Sequence, residues 1–225
     1  FFAAAWFMKR NYRAVHKKGG KQMKIEIKKL MPEHVEEYIR FFDTTPHDDL
    51  DPANTCYCVS WCSDDHRGMM EYPARKERRA MAEEYVKNGK IQGYLAYVDG
   101  KLTGWCNANT RSECINCGGW LFTMPEIRET QSDFGEKVKS IYCFLIAPEM
   151  KRKGIAKYLL QYICQDAADS GFDYVEAYPW KETVDERTFF MGFENLYQNF
   201  GFDICGETKD KFVMRKALKD KERQI

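Results

Sequence analysis

Residues 138–170 restrict what this chain can fold into more than any other stretch. Val138 to Ala147 is an apolar run of strand character ended by Pro148. From about Arg152 to Ser170, apolar residues recur at helical spacing until Gly171 terminates the pattern. Between them stands the short basic turn Lys151-Arg152-Lys153-Gly154. Gly154 and Ala156 let the backbone approach a ligand closely. The first N–H groups of the helix lack intrahelical partners, so a pyrophosphate can accept from them, helped by the helix dipole. The three cations beside Gly154 add local positive charge.

The rest of the chain supplies a layered setting for that unit. Lys24-Ile25-Glu26-Ile27-Lys28-Lys29-Leu30 alternates as a strand, and Pro32 opens a helix through Glu33 to Ile39. Ala74 to Lys87 is amphipathic and predicts a second helix. Ile91 to Val98 and Leu102 to Ala108 flank Asp99-Gly100, a dipeptide that supplies the positive backbone dihedrals of a tight hairpin. Tyr174 to Tyr178 is a further strand, Glu194 to Phe200 a short helix capped by Gly201, and Phe202 to Glu207 and Lys211 to Lys216 two closing strands. The order β-α-α-β-β-β-α-β-α-β-β predicts a mixed α/β (α+β) architecture, a central sheet of about six to seven strands with flanking helices. It fits one domain over residues 23–225, with irregular insertions at about 44–73 and 110–137. Residues 1–22 contain Lys9, Arg10, Arg13, Lys17, Lys18 and Lys21 and no acid. They read as an appended extension or tail ahead of a basic arm for a membrane surface or nucleic acid.

Composition excludes several function classes. Lys plus Arg number 35 against 34 Asp plus Glu, so the molecule has no large field to attract nucleic acid or anionic membrane. No apolar run approaches bilayer length, and the apolar Phe1 to Met8 precedes its basic residues, the reverse of a secretory signal. Nine cysteines form an odd set that suits free thiols in a reducing compartment. The expectation is a cytoplasmic protein.

Lys151-Arg152-Lys153-Gly154-Ile155-Ala156 resembles the acetyl-coenzyme A motif of the GNAT superfamily, Arg/Gln-x-x-Gly-x-Gly/Ala, with Lys in the first place. The element order, the Asp99-Gly100 hairpin and the closing Leu196-Tyr197-Gln198-Asn199-Phe200-Gly201-Phe202 resemble the family too. The resemblance implies an N-acetyltransferase that uses acetyl-coenzyme A as cosubstrate and no metal, with strands splayed at the coenzyme site. The backbone of Phe144, Leu145 and Ile146 would pair with the pantetheine arm as an added strand. Lys151, Arg152, Lys153, Gly154, Ile155, Ala156 and Lys157 would hold the phosphates. Tyr197, four residues before Gly201, stands where many relatives carry the acid that protonates the leaving thiolate; its spacing beside Leu196 and Phe200 equally suits a packing residue. Ser140 stands where some relatives carry a glutamate, so a base would have to act through water, with Glu176 the candidate and Tyr142 or Tyr178 contributing to a polar chain. Phe190 replaces the asparagine that many relatives place seven residues before the tyrosine. The missing glutamate leaves open a non-catalytic module that senses an acyl-coenzyme A or small ligand on the same fold.

The two insertions hold the remaining candidates. Cys56, Cys58 and Cys62 lie in one and Cys114 and Cys117 in the other, with His66 a conceivable fourth ligand. These spacings match no standard zinc site, and reduced thiols packed under loops are the simpler reading. Trp61, Trp105, Trp120, Trp180, Tyr57 and Tyr94 are candidates for an aromatic acceptor pocket, and residues 179–183 and 189–193 for its wall. Asp48, Asp49, Asp51, Asp64 and Asp65 would instead draw a polyamine, aminoglycoside or lysine side chain. The acceptor is thus a small-molecule or peptide amine of open identity; nucleic acid and membrane are not expected as partners, and a homodimer is left open.

Overall fold

A computed structural model describes residues 12–18, 21–46, 52–63, 73–124, 126–127, 135–181 and 190–218. In chain order the elements are β1 (Tyr12–Lys18), β2 (Lys21–Lys29), α1 (Val35–Thr44), α2 (Arg75–Lys87), β3 (Gly93–Val98), β4 (Lys101–Thr110), α3 (Arg111–Cys114) and α4 (Gly118–Thr123). They continue with β5 (Val138–Ile146), α5 (Ile155–Asp169), β6 (Tyr174–Ala177), α6 (Glu194–Gln198), β7 (Asp203–Glu207) and β8 (Phe212–Ala217). The strands form one eight-stranded sheet in the order β1-β2-β3-β4-β5-β6-β8-β7. Only β5 and β6 run parallel, which the crossover helix α5 between them requires; the other neighbours are antiparallel.

Alternation along β4 separates the two faces of the sheet. Trp105 points toward α1, its ring 4.9 Å from Tyr38 and nearly perpendicular to it. Its neighbour Gly104 points the other way, where an added Cβ would meet Ile155 of α5 at 3.0 Å. One face is therefore covered by α1, through Tyr38, Phe41 and Phe42, and the other by α5, through Ile155, Leu159 and Ile163. Tyr94 on the α5 face donates to Asp166 at 2.6 Å and ties the helix to the sheet. At the hairpin Asp99 and Gly100 adopt φ of 49° and 85°, as the dipeptide requires.

The element order read from the sequence recurs from β2 onward, with two additions. The insertion at 110–137 contains the short helices α3 and α4, whose 4 and 6 residues are too few to show periodicity. Residues 1–22 were set apart from the core on their charge, yet Tyr12–Lys18 pairs with β2 and accounts for the eighth strand. The charge hid an alternation: Tyr12 and Ala14 are half-buried, Arg13 and Val15 exposed. Tyr12 lies 6.3 Å from both Tyr158 and Tyr162 of α5 and donates to Gln161. The predicted start of α5 at Arg152 moves to Ile155, because Arg152 and Gly154 have φ of 57° and 81°. No helix among the described residues is long and apolar enough to cross a membrane.

Candidate active site

The sheet opens beside β5. Strand β6 follows β5 only from Val138–Tyr174 to Ile141–Ala177, whereas β5 continues along β4 until Ile146 pairs with Gly104. Among the described residues, no strand pairs with the outer edge of β5 from Tyr142 to Ile146. Phe144, Leu145 and Ile146 occupy this edge, and an extended amide-bearing chain there would meet backbone donors and acceptors at strand spacing. The strand leads through a 3-10 turn at Pro148–Met150 into the basic turn, with Lys151, Arg152 and Lys157 exposed. The first α-helical bond runs from the Tyr158 N–H to the Gly154 carbonyl at 3.2 Å, so the amides of Ile155, Ala156 and Lys157 precede it. The Ile155 side chain is core, at 2% exposure, and only its backbone belongs to this cradle. Amide donors, two positive dihedrals and surrounding cations suit a pyrophosphate, and the open strand edge suits a pantetheine, so the residues present fit coenzyme A.

On the α1 face, a row of polar side chains crosses four strands. Register places Asn109 of β4 opposite Ser140 of β5, Ser140 opposite Glu176 of β6, and Glu176 opposite Arg215 of β8. Glu176 is fully buried. Arg215 donates to its Oε2 from Nε at 2.7 Å and from Nη2 at 2.6 Å, and the Tyr178 hydroxyl donates to Oε1 at 2.5 Å. The equally buried Arg111 guanidinium lies 3.6 Å from Oε1. Tyr178 and Ser140 share a further hydrogen bond at 2.8 Å. Burial first, and then the Glu176 charge, push the Tyr178 hydroxyl well above its ordinary pKa, so it remains a donor. The chain Ser140–Tyr178–Glu176 can pass a proton along hydrogen bonds. Glu176 itself is held by two strong partners and is no freely placed base.

Aromatic rings cover this row. Trp61 stacks on Tyr142 at 4.9 Å, Tyr142 on Tyr178 at 6.1 Å, and Trp120 meets both edge-on while donating from its indole to the Tyr142 hydroxyl at 3.0 Å. Trp61 and Trp120 come from the two insertions, which lock together: a Cβ on Gly119 would lie 2.5 Å from the Trp61 ring, and Gly118 N–H donates to the Ser63 carbonyl. The thiols meet there as well, since Cys117 and Cys62 lie close enough to Cys114 for each to push its pKa up. All nine cysteines are free. Among the described residues, no group of His, Cys, Asp or Glu is arranged to hold a metal ion.

Tyr197 sits on α6, fully buried, its hydroxyl donating to the Met191 carbonyl at 2.6 Å and its ring 5.4 Å from Phe202. Burial pushes its pKa well up, and Cys106, Cys143 and Cys164 lie near enough to add to the effect. Phe190 is half-buried in the turn before Gly192, whose φ of 82° brings the backbone against the Tyr197 hydroxyl.

Several sequence candidates fall elsewhere. Tyr94 belongs to the α5 face, Tyr57 and Trp105 are core beneath α1, and Trp180 lies under Lys211 near β8. Asp48, Asp49, Asp51, Asp64, Asp65, His66 and 182–189 lie outside the described residues. The sequence reading missed Arg111 and Arg215. Each resembles a surface cation in isolation, and only strand register reveals their shared carboxylate.

A family model described as the acetyltransferase (GNAT) family matches residues 58–202. Solved structures share the fold at low identity. A mosquito arylalkylamine N-acetyltransferase like 5b has 12% identity and a TM-score of 0.54, over 86% of this chain and 99% of its own. A putative GNAT acetyltransferase from Desulfovibrio desulfuricans has 13% identity and a TM-score of 0.52, over 87% and 99%. A Bacillus halodurans protein described as uncharacterized has 13% identity and the same TM-score, over 92% and 90%. Among curated proteins, none matches this sequence.

Proposed function

The chain belongs to the GNAT acetyltransferase family, and from that premise we propose that it moves an acetyl group from acetyl-coenzyme A to a primary amine by direct attack in a ternary complex, with Tyr197 protonating the departing thiolate. The observation that carries this reading is the opening of β5 from β6 directly ahead of a basic, glycine-bearing helix start. Acetyl-coenzyme A supplies an activated acyl group as its thioester. The edge of Phe144 to Ile146 binds and aligns its arm, and the amides of Ile155, Ala156 and Lys157, with Lys151, Arg152 and Lys153, neutralise its phosphates. Holding both reactants in one cleft removes much of the entropic barrier.

Tyr197 keeps its proton at neutral pH because its buried phenolate is disfavoured. Donation to a thiolate requires it to exchange the Met191 carbonyl for that acceptor; burial weakens Tyr197 as an acid, so the transfer is favoured only where the same water-poor site also disfavours the charge developing on sulfur. On the other side, Ser140 and Tyr178 lead from the cleft to Glu176 and form the route by which the amine's proton leaves, through water. A second reading, ligand sensing without turnover, is favoured by the full engagement of Glu176 with Arg215 and Tyr178.

Calorimetric titration of acetyl-coenzyme A, followed by thiol release over a panel of amines, tests the proposal. Binding with release is expected. Binding without release for any amine would favour the sensor, and no binding would overturn both readings.

A further inference from the structure

Two asparagines lie two residues apart on the α1 face of β4, and their surroundings differ. Asn109 is satisfied: its Nδ2 donates to the Lys90 carbonyl at 3.1 Å and its Oδ1 accepts from Thr110 N–H at 2.8 Å. Asn107 has 0% exposure, and neither its Oδ1 nor its Nδ2 has a hydrogen-bond partner among the described residues. A buried amide left unpaired costs free energy, so both polar atoms of Asn107 call for a partner that the described residues do not supply.

Register shows where that partner would come from. The row of Asn109 is closed by Ser140, Glu176 and Arg215. The row of Asn107 contains Gly93 of β3, Asn107 of β4 and Cys143 of β5, and there the pairing with β6 has already ended. Asn107 is therefore one strand from the open edge of β5. Cys143 lies close enough to Cys58 to push that thiol's pKa up, and close enough to Tyr197 to add to the effect of burial there. Trp105 bounds the other side, since its ring occupies the space that a side chain on Gly93 would fill. The polar side chain thus lies on the α1 face, opposite the one that α5 covers, in the row where β5 has lost β6 as its neighbour.

Resting on the acetyltransferase reading, we infer that Asn107 binds the acceptor and selects amines that carry a carbonyl oxygen on the neighbouring carbon. Its Oδ1 accepts from the amine N–H and orients the nitrogen lone pair. Its Nδ2 donates to the neighbouring oxygen. An amino-acid amide or a peptide N-terminal residue satisfies both ends of the carboxamide, whereas a plain arylalkylamine satisfies one and leaves the other buried without a partner.

Phenylalaninamide and 2-phenylethylamine share a ring and chain and differ by that carboxamide, so they form the probe pair. The wild type is expected to favour phenylalaninamide by roughly tenfold or more in kcat/KM. Asn107→Leu, of similar volume and without polar atoms, should erase that preference while leaving the acetyl-coenzyme A Kd within about threefold and the Tm of the ligand-free protein unchanged or raised. Asn107→Asp keeps the shape and the accepting oxygens but loses the donor; it should abolish the preference yet still bind both amines, and it carries the test where the leucine variant fails to fold. A fall in Tm for Asn107→Leu with the preference intact means that Asn107 serves the fold alone and overturns the inference. Equal kcat/KM for the two amines in the wild type, or turnover of neither, overturns the acceptor class. Loss of acetyl-coenzyme A binding in the wild type is the separate result that sinks the transferase reading.

Discussion

The two sides of β5 solve binding in opposite ways. Toward α5, the proposed phosphate cradle is one continuous segment, residues 151–157, whose cations stand largely in solvent around backbone donors. Toward α1, the Ser140–Glu176–Arg215 row and its aromatic cover come from six separate elements or turns, and its charges are buried or half-buried and held by one another. The contrast fits what each is proposed to bind. A polyanion is held well by exposed charge and fixed amides, which need little support. A neutral amine and a mobile proton need groups fixed in position, and burial with mutual pairing provides that.

Substitutions test this contrast, beginning with the largest effect. Glu176→Gln leaves Arg215 and Arg111 facing a neutral amide, and unfolding in urea should show a loss of about 3 kcal/mol or more. Acetyl-coenzyme A affinity measured on the folded variant should hold, and its loss would show that the two sides are energetically one. Gly154→Glu places a carboxylate and a strained φ in the cradle, and calorimetry should find affinity reduced by about a hundredfold or more. Gly154→Ala separates backbone strain from charge, because only the strain is retained. Tyr197→Phe should lower kcat by roughly ten- to thirtyfold while acetyl-coenzyme A still binds; an unchanged kcat removes the acid assignment.

The smallest effect concerns Lys139, buried on the α5 face, whose pKa burial lowers to about 8. Between that value and the ordinary lysine value near 10.4 the unfolded chain binds more protons at this group, so the Lys139 contribution to stability rises with pH across this window, against the opposite trend of the buried thiols, whose raised pKa values favour the folded state less as pH climbs. The difference in stability between the wild type and Lys139→Met should shift in favour of the wild type by about 1 kcal/mol between pH 8 and 9. Thermal unfolding in a pH series reads the difference directly.

The same contrast decided how much of the molecule was legible in the sequence. The α5 side was almost fully readable, because strand, turn and helix are adjacent and Gly154 announces a backbone that a side chain would obstruct. From β2 onward the order of strands and long helices was readable too, through the periods of two and 3.6 and the Asp99-Gly100 turn. The α1 side was not. Arg111 and Arg215 are separated by 104 positions, and nothing local distinguishes them from solvated cations until register sets both around Glu176. Asn107 and Asn109 look alike in the sequence, and only their neighbours differ. Strand β1 was missed because its basic residues outweighed its alternation in any count by composition.

The irregularity in β5 has a consequence for how this strand can vary. Asn107 pairs with Cys143 and Ala108 with Ile141, so Tyr142 is an extra residue in the ladder. It shifts the odd–even phase of the strand: Ser140 faces α1 ahead of it, and so do Cys143 and Leu145 beyond it. Deleting Tyr142 itself would close the ladder and leave the later side chains on their present faces, whereas deleting a residue beyond it, such as Phe144, would act as a frameshift acts on a message and turn every later side chain to the opposite face. Relatives of this chain should therefore tolerate exchanges of residue identity along β5, or loss of the extra residue, far more readily than a change in length beyond it.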